Sequence, residues 1–275
     1  MKTKTNSGKA RCMISSLFSP TIKSVIIIIL ILTGIQLPVR AQLYKDKNHS
    51  WWFGVATGAN MNFYSSSIQE LNSTLTSPVA FNNGSGIGLY FAPLAEFHLP
   101  GSTWSIMLEA GYDSRKGAFD EKDAPCGCTD DLSTGLSYIT VEPSLRFAPF
   151  KSDFYLYAGP RLAFNLNKSF LYKQGVNSDF LNQVAHLKRN GDFSNMNKTI
   201  FSMQIGAGYD IPVSSQRKPT QFVLSPFVSF QPYFGQSPRS IETWNVTTLR
   251  VGVALKHSRE HKISTPKKVT NVSMF

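Results

Sequence analysis

Long hydrophobic runs are missing from this 275-residue chain. Its one unbroken apolar stretch, VIIIILIL at 25–32, is far short of the roughly 20 residues a spanning helix needs. Any membrane crossing therefore falls to strands closed into a barrel, the other spanning structure that satisfies its own backbone. Charged residues are sparse, at 16% of the chain, and none of the first 41 residues is acidic. Cysteines number three, too few for a disulfide scaffold. Nucleophile elbows, phosphate loops and metal-ligand spacings are absent as well. No catalytic residue, metal or cofactor is assigned.

The amino terminus reads as a targeting segment. Lys2, Lys4, Lys9, Arg11 and Lys23 precede the apolar run, and Val39-Arg40-Ala41 then offers a small-x-small cleavage pattern before Gln42. This describes a secretory signal peptide over 1–41. The alternative, an uncleaved anchor, is short of apolar length. Translation from Met13 would give a more ordinary signal. No cysteine follows the run as a lipoprotein requires. The segment carries six basic side chains, so the remainder has a net charge of +5, of which +3 lies in the tail 258–275. The high pI belongs to the ends, and no nucleic-acid partner is implied.

Cys126 and Cys128 are the two cysteines beyond that segment. In an exported protein Cys-x-Cys reads as a tight disulfide. Free thiols, or half of a metal site with Asp130 or Asp131, are the alternatives; two thiolates alone do not complete a tetrahedral site.

The body is built on a period of two. In FYLYAGPRLAFNL, Phe154, Leu156, Ala158, Pro160, Leu162, Phe164 and Leu166 alternate with Tyr155, Tyr157, Gly159, Arg161, Ala163 and Asn165. Eight such stretches occur, at 51–63, 86–99, 103–113, 135–148, 154–166, 199–211, 221–234 and 244–257. Their length suits tilted strands crossing a bilayer, which take about 9–11 residues, better than ordinary strands of about 5–6. Aromatics such as Trp104, Tyr112 and Phe222 end the apolar faces, as in membrane barrels. The opposite faces carry Glu96, Glu109, Glu142, Arg146, Arg161 and Arg250. In a soluble sandwich these would meet water. In a small barrel they point into the lumen and must pair, because buried charges persist only when compensated. Glycines on this face leave room for them.

The connections alternate. Those at 100–102, 149–153 and 212–220 are short; those at 64–85, 114–134, 167–198 and 235–243 are longer and read as surface loops. Short periplasmic turns and longer outer loops are the outer-membrane pattern. Pro93, Pro143, Pro160 and Pro226 sit badly inside these strands, so bulges or locally broken pairing are expected there.

With the signal ending RAQ, the opening WWFGVATGANMNF, the central YLYAGPRLAFNL and the closing TLRVGVALKH, the chain resembles the small outer-membrane β-barrel family of Bacteroidota often labelled PorT-like. The resemblance covers about 51–257. It implies an eight-stranded barrel. A peptidoglycan-binding domain follows the barrel in some relatives, but only the short tail follows it here. The namesake's link to secretion is not carried over by family membership.

A search for barrel-enzyme chemistry finds one histidine on the loop side, His186, within SDFLNQVAHL. There Phe180, Leu181, Val184 and Leu187 have helical spacing, behind Ser178 or Asp179 as a cap. A short amphipathic helix is expected, with an enzymatic role for His186 as the rival. His98 falls beside a periplasmic turn.

The expectations are these. The fold is all-β: an eight-stranded antiparallel up-and-down barrel after a cleaved signal peptide, with a short segment 42–50, the barrel over 51–257 and a basic tail 258–275. The chain is a monomer in outer-membrane lipid. It has a side-chain-filled lumen, since eight strands enclose only enough room for side chains. Its role is structural or one of surface interaction. A lipid-modifying or hydrolytic enzyme and a small-solute channel are the alternatives.

Overall fold

In the computed structural model, the described residues are 51–124, 127–149, 152–175, 187–214, 220–232 and 237–259. Eleven strands form one sheet. They are β1 (Trp51–Asn72), β2 (Leu75–His98), β3 (Trp104–Phe119), β4 (Lys122–Asp123), β5 (Thr129–Phe147), β6 (Phe154–Gln174), β7 (Leu187–Asp192), β8 (Thr199–Tyr209), β9 (Ile211–Pro212), β10 (Thr220–Gln231) and β11 (Trp244–Arg259). Eight of them, β1, β2, β3, β5, β6, β8, β10 and β11, pair antiparallel in chain order. β1 meets β11, so the ring closes.

The register fixes the shape. From Met61 the pairing runs through Leu249, Phe230, Ile205, Ala158, Leu145, Ile106 and Phe97 to Trp51. One circuit of the ring thus returns to β1 ten residues from its start. A stagger of that size, at about 3.3 Å per residue around eight strands about 4.8 Å apart, tilts the strands by about 40°. Every residue on this circuit is apolar and faces outward. The adjacent circuit, Asn60, Arg250, Ser229, Gly206, Tyr157, Arg146, Ser105 and His98, faces inward and holds no aliphatic side chain. Side-chain alternation alone produces this reversal of the usual inside and outside.

The apolar outer face forms a belt. On β1 it runs from Phe53 to Phe63; ten residues at that tilt climb about 25 Å, the height of a barrel's lipid-facing band. Trp51, Trp104, Phe154, Tyr209 and Phe222 lie at the strand ends on one rim, with Trp51 packed on Phe97 at 4.8 Å and Trp104 on Phe147 at 4.7 Å.

The prolines interrupt pairing without shifting it. Pro143 stands opposite Pro160, where the β5–β6 pairing lapses between Val141↔Leu162 and Leu145↔Ala158 in unchanged register. Pro93 lies in the matching gap between β2 and β3, and Pro226 in that between β10 and β8. A strand residue's N–H faces one neighbour only, so each proline breaks one ladder and leaves the other intact, as at Val55↔Pro93. The register shifts lie elsewhere, at Ser137/Tyr138 and towards the β1–β2 tip after Ser65.

Much of what reads as outer loop in the sequence is strand. The stretch 64–85 is the upper half of the β1–β2 hairpin, turning at 73–74. The stretch 114–134 is mostly β3, β4 and β5, and 167–198 contributes the end of β6 and all of β7. These extensions hold because their inward positions are apolar: Ile68, Leu71, Phe81, Phe119, Leu132, Phe170, Tyr172, Phe193 and Trp244 pack into one buried cluster. They rise beyond the belt as a cap with a greasy interior and a polar exterior. The helix expected over 178–187 lies outside the described residues except for Leu187, which begins β7.

Candidate functional site

Within the belt the interior is a network of charge. Five carboxylates (Glu96, Glu109, Asp113, Glu142 and Asp210) and five cations (Arg115, Arg146, Arg161, Arg250 and Lys256) point into it from different strands. All but Asp210 are buried, and Asp210 is 13% exposed at its side chain.

Towards the turn side the charges form a ring. Glu96 on β2 pairs with Arg146 on β5, and Arg146 with Asp210 just after β8. Asp210 pairs in turn with Lys256 on β11 at 2.9 Å, and Lys256 returns to Glu96 at 3.0 Å. The four come from alternate strands of the eight, so they share one layer, and their signs alternate around it. Each charge therefore has an opposite charge on both sides. His98 lies at the rim with Nε2 2.7 Å from Glu96 Oε1, and Ser105 donates to the same carboxylate at 3.2 Å. Arg146 also lies over the Tyr155 ring, 3.8 Å from its centre. Gly208 makes room for that ring, since a Cβ there would stand 2.4 Å from Tyr155.

A second cluster fills the middle. Arg250 donates to Glu142 at 2.9 Å and to Asn60 at 3.0 Å, and stacks on Tyr90 at 3.5 Å. Arg161 bridges Glu142, at 3.1 Å, and Asp113. Arg115 clamps Asp113 through Nε at 3.0 Å and Nη2 at 2.9 Å, and reaches Gln231 and Thr248 on the far wall. Glu109 lies directly across the ladder from Glu142 and accepts from Tyr90 at 3.1 Å. Charges this dry are held by pairing, because desolvation of a lone ion costs several kcal/mol.

The six residues singled out in the sequence all lie in these two clusters. Asp113, Arg115, Asp210 and Lys256 belong there equally and are missing from that set. Their signal is parity: Asp113 falls in step with Glu109, Asp210 with Gln204, and Lys256 with Arg250.

Above the charge layers lies the buried apolar cluster of the cap. A strap, residues 237–243, closes the wall there through Arg239, which is wholly buried. Its burial lowers the guanidinium's pKa against the opposing pull of Glu242 and Glu70. Cys128 is buried and disulfide-bonded, while Cys126 and His186 lie outside the described residues. Among the described residues no cluster of three or more His, Cys, Asp or Glu is arranged to hold a metal.

Comparison with known proteins bears on this geometry. No curated protein matches the chain. Among solved structures, the attachment invasion locus protein Ail of Yersinia pestis is similar at 12% identity and a TM-score of 0.34, over 75% of this chain and 99% of that one. OprG of Pseudomonas aeruginosa is similar at 11% identity and a TM-score of 0.32, over 76% of this chain and 97% of that one. Superpositions this loose add nothing to the argument. The family model of the outer membrane protein beta-barrel domain, by contrast, matches residues 40–235, covering seven of the eight ring strands. With its closed ring, apolar belt and charge-filled bore, the chain belongs to the outer membrane protein beta-barrel domain family and resides in the bacterial outer membrane.

Proposed function

We propose that the chain is a monomeric, non-catalytic outer-membrane scaffold that presents its cap for surface interaction and conducts nothing. The supporting observation is that buried side chains point into the interior from the turn side to the cap. Two layers of paired charge fill the belt, and an apolar cluster fills the cap. Eight strands leave an interior only as wide as such side chains. The six residues Glu96, Glu109, Glu142, Arg146, Arg161 and Arg250, with Asp113, Arg115, Asp210 and Lys256, then have a structural role.

The cap is the part with a surface to offer, since long extensions on a rigid scaffold commonly carry recognition. In this reading 1–41 is a signal peptide removed before Gln42, and amino-terminal sequencing of the membrane-extracted protein checks that cut. Membership of the PorT-like group of Bacteroidota is part of the same proposal and rests on the motifs quoted from the sequence.

Planar-bilayer recording tests the central claim. Purified protein is expected to insert without steady conductance. Reproducible unitary steps from the wild-type chain would replace the scaffold with a channel.

A further inference from the structure

The cap's wall is uneven. β1 and β2 rise to Asn72 and Leu75, whereas β11 begins only at Trp244, opposite Ser66, and β10 stops at Gln231. Beyond Ser66, the β11 side of β1 has no ladder partner among the described residues, and of its backbone only Leu71 O, which accepts from Ser194 N at 3.2 Å, meets the segment after β7. The strap 237–243 stands in that place. Thr243 O accepts from Ser67 N at 2.8 Å, and one carboxylate oxygen of Glu242 accepts from Gln69 N at 3.0 Å and Glu70 N at 2.9 Å. A side chain thus does the work of a missing strand for two backbone amides that would otherwise be unpaired.

The strap's other edge is fastened to the segment before β8. Asn197 N donates to Pro238 O at 2.9 Å, Asn197 Nδ2 donates to Ser237 O at 2.7 Å, and Met196 forms a bridge with Arg239. Arg239 locks the two edges together. Its guanidinium contacts Glu242 at 3.4 Å, Glu70 at 3.5 Å and Ser194 Oγ at 3.2 Å, and donates to Glu70 O. Directly behind it lie Phe193, 5.9 Å away, and Trp244, packed edge-on to Phe193 at 4.9 Å.

Two properties separate this seam from the rest of the wall. Elsewhere the wall is laddered strand on strand, with lapses at the prolines but in unchanged register. Here closure rests on a few isolated backbone bonds, Ser67 N to Thr243 O, Asn197 N to Pro238 O and Ser194 N to Leu71 O, with Arg239 and Glu242 as the side chains that join the two edges. The seam also divides water from an apolar interior, so opening it exposes aromatic surface at once. We propose that the strap is a clasp, locked by Arg239 and Glu242, which opens as a unit while the membrane ring stays closed and gives lateral access to the apolar interior of the cap. Regions held by few side-chain contacts populate the low-energy end of local opening.

Hydrogen exchange on the full chain refolded in lipid vesicles, read by peptide mass, tests this. Arg239→Gln is expected to speed exchange at least tenfold in peptides covering 66–72 and 194–198, and to leave 53–62 and 249–257 unchanged. Acrylamide quenching of Trp244 should rise in parallel, with Trp51, Trp52 and Trp104 replaced by Phe to isolate its signal. Glu242→Gln keeps an oxygen for the two amides and removes the charge, so it should give a smaller rise in the same peptides. An Asn197→Cys, Pro238→Cys cross-link should abolish both effects. Faster exchange across the whole cap, or none in the named peptides, overturns the clasp. A cross-link that leaves the Arg239→Gln effect intact overturns it too.

Discussion

Below Phe63 strand β1 carries Phe53, Val55 and Met61 outward and Asn60 and Asn62 inward; above it the same strand carries Ser65 and Ser67 outward and Ile68 and Leu71 inward. One sheet is thus inverted in its lower half and conventional in its upper half. The backbone is the same hydrogen-bonded ring in both. What changes is the solvent outside, hydrocarbon below and water above, and the interior takes whatever polarity the exterior leaves. In the belt, specificity comes from ion pairs, each with few acceptable partners. In the cap it comes from packing, where shape matters and sign does not.

The sharpest way to break the comparison is to remove a lumen cation. Arg250→Leu removes the 2.9 Å partner of Glu142, leaves it sharing Arg161 with Asp113 and so leaves one buried carboxylate in excess; it is expected to cost about 3–5 kcal/mol or to prevent refolding, read by urea unfolding in vesicles. A loss below about 1 kcal/mol would mean the network is not holding the ring. In the cap, Leu132→Ala removes a fully buried side chain from the apolar cluster and should cost about 2–5 kcal/mol, with the belt's cold-gel mobility preserved. Outward positions test the exterior. Leu108→Arg, midway up the belt, should cost about 2–4 kcal/mol. The equivalent Ser133→Arg, outward on the cap, should stay within about 0.5 kcal/mol. Equal effects at the two sites would place Ser133 in lipid. A small change is also expected inside the belt at Glu109→Gln, which keeps an acceptor for Tyr90 and has no ion pair to lose among the described residues; less than about 1 kcal/mol should separate it from wild type.

Legibility followed the same division. Where lipid lies outside, alternation is strict, and Leu249, Val251, Val253 and Leu255 against Thr248, Arg250, Gly252, Ala254 and Lys256 could be sorted by eye. The cap hid for two reasons. Its outward Ser and Asn residues resemble loop composition. Its apolar residues also do not continue the belt's parity: the shift at Ser137/Tyr138 leaves Leu166 unpaired, so Arg161 and Phe170 both face inward although one is odd and the other even. Asp113 and Asp210 were in phase but close to strand ends, where facing and turning are hard to tell apart in a sequence.

Period two, strand length and the absence of a spanning apolar run were enough to specify a closed eight-stranded ring and the sign of its two faces. That information is local, because a side chain's face depends only on its place along its own strand. The ten-residue stagger, the alternating ring of Glu96, Arg146, Asp210 and Lys256, and the strap over β1 depend on which residue lies opposite which across strands far apart in the chain. Register is a property of the closed ring, so those partners exist only once all eight strands have met.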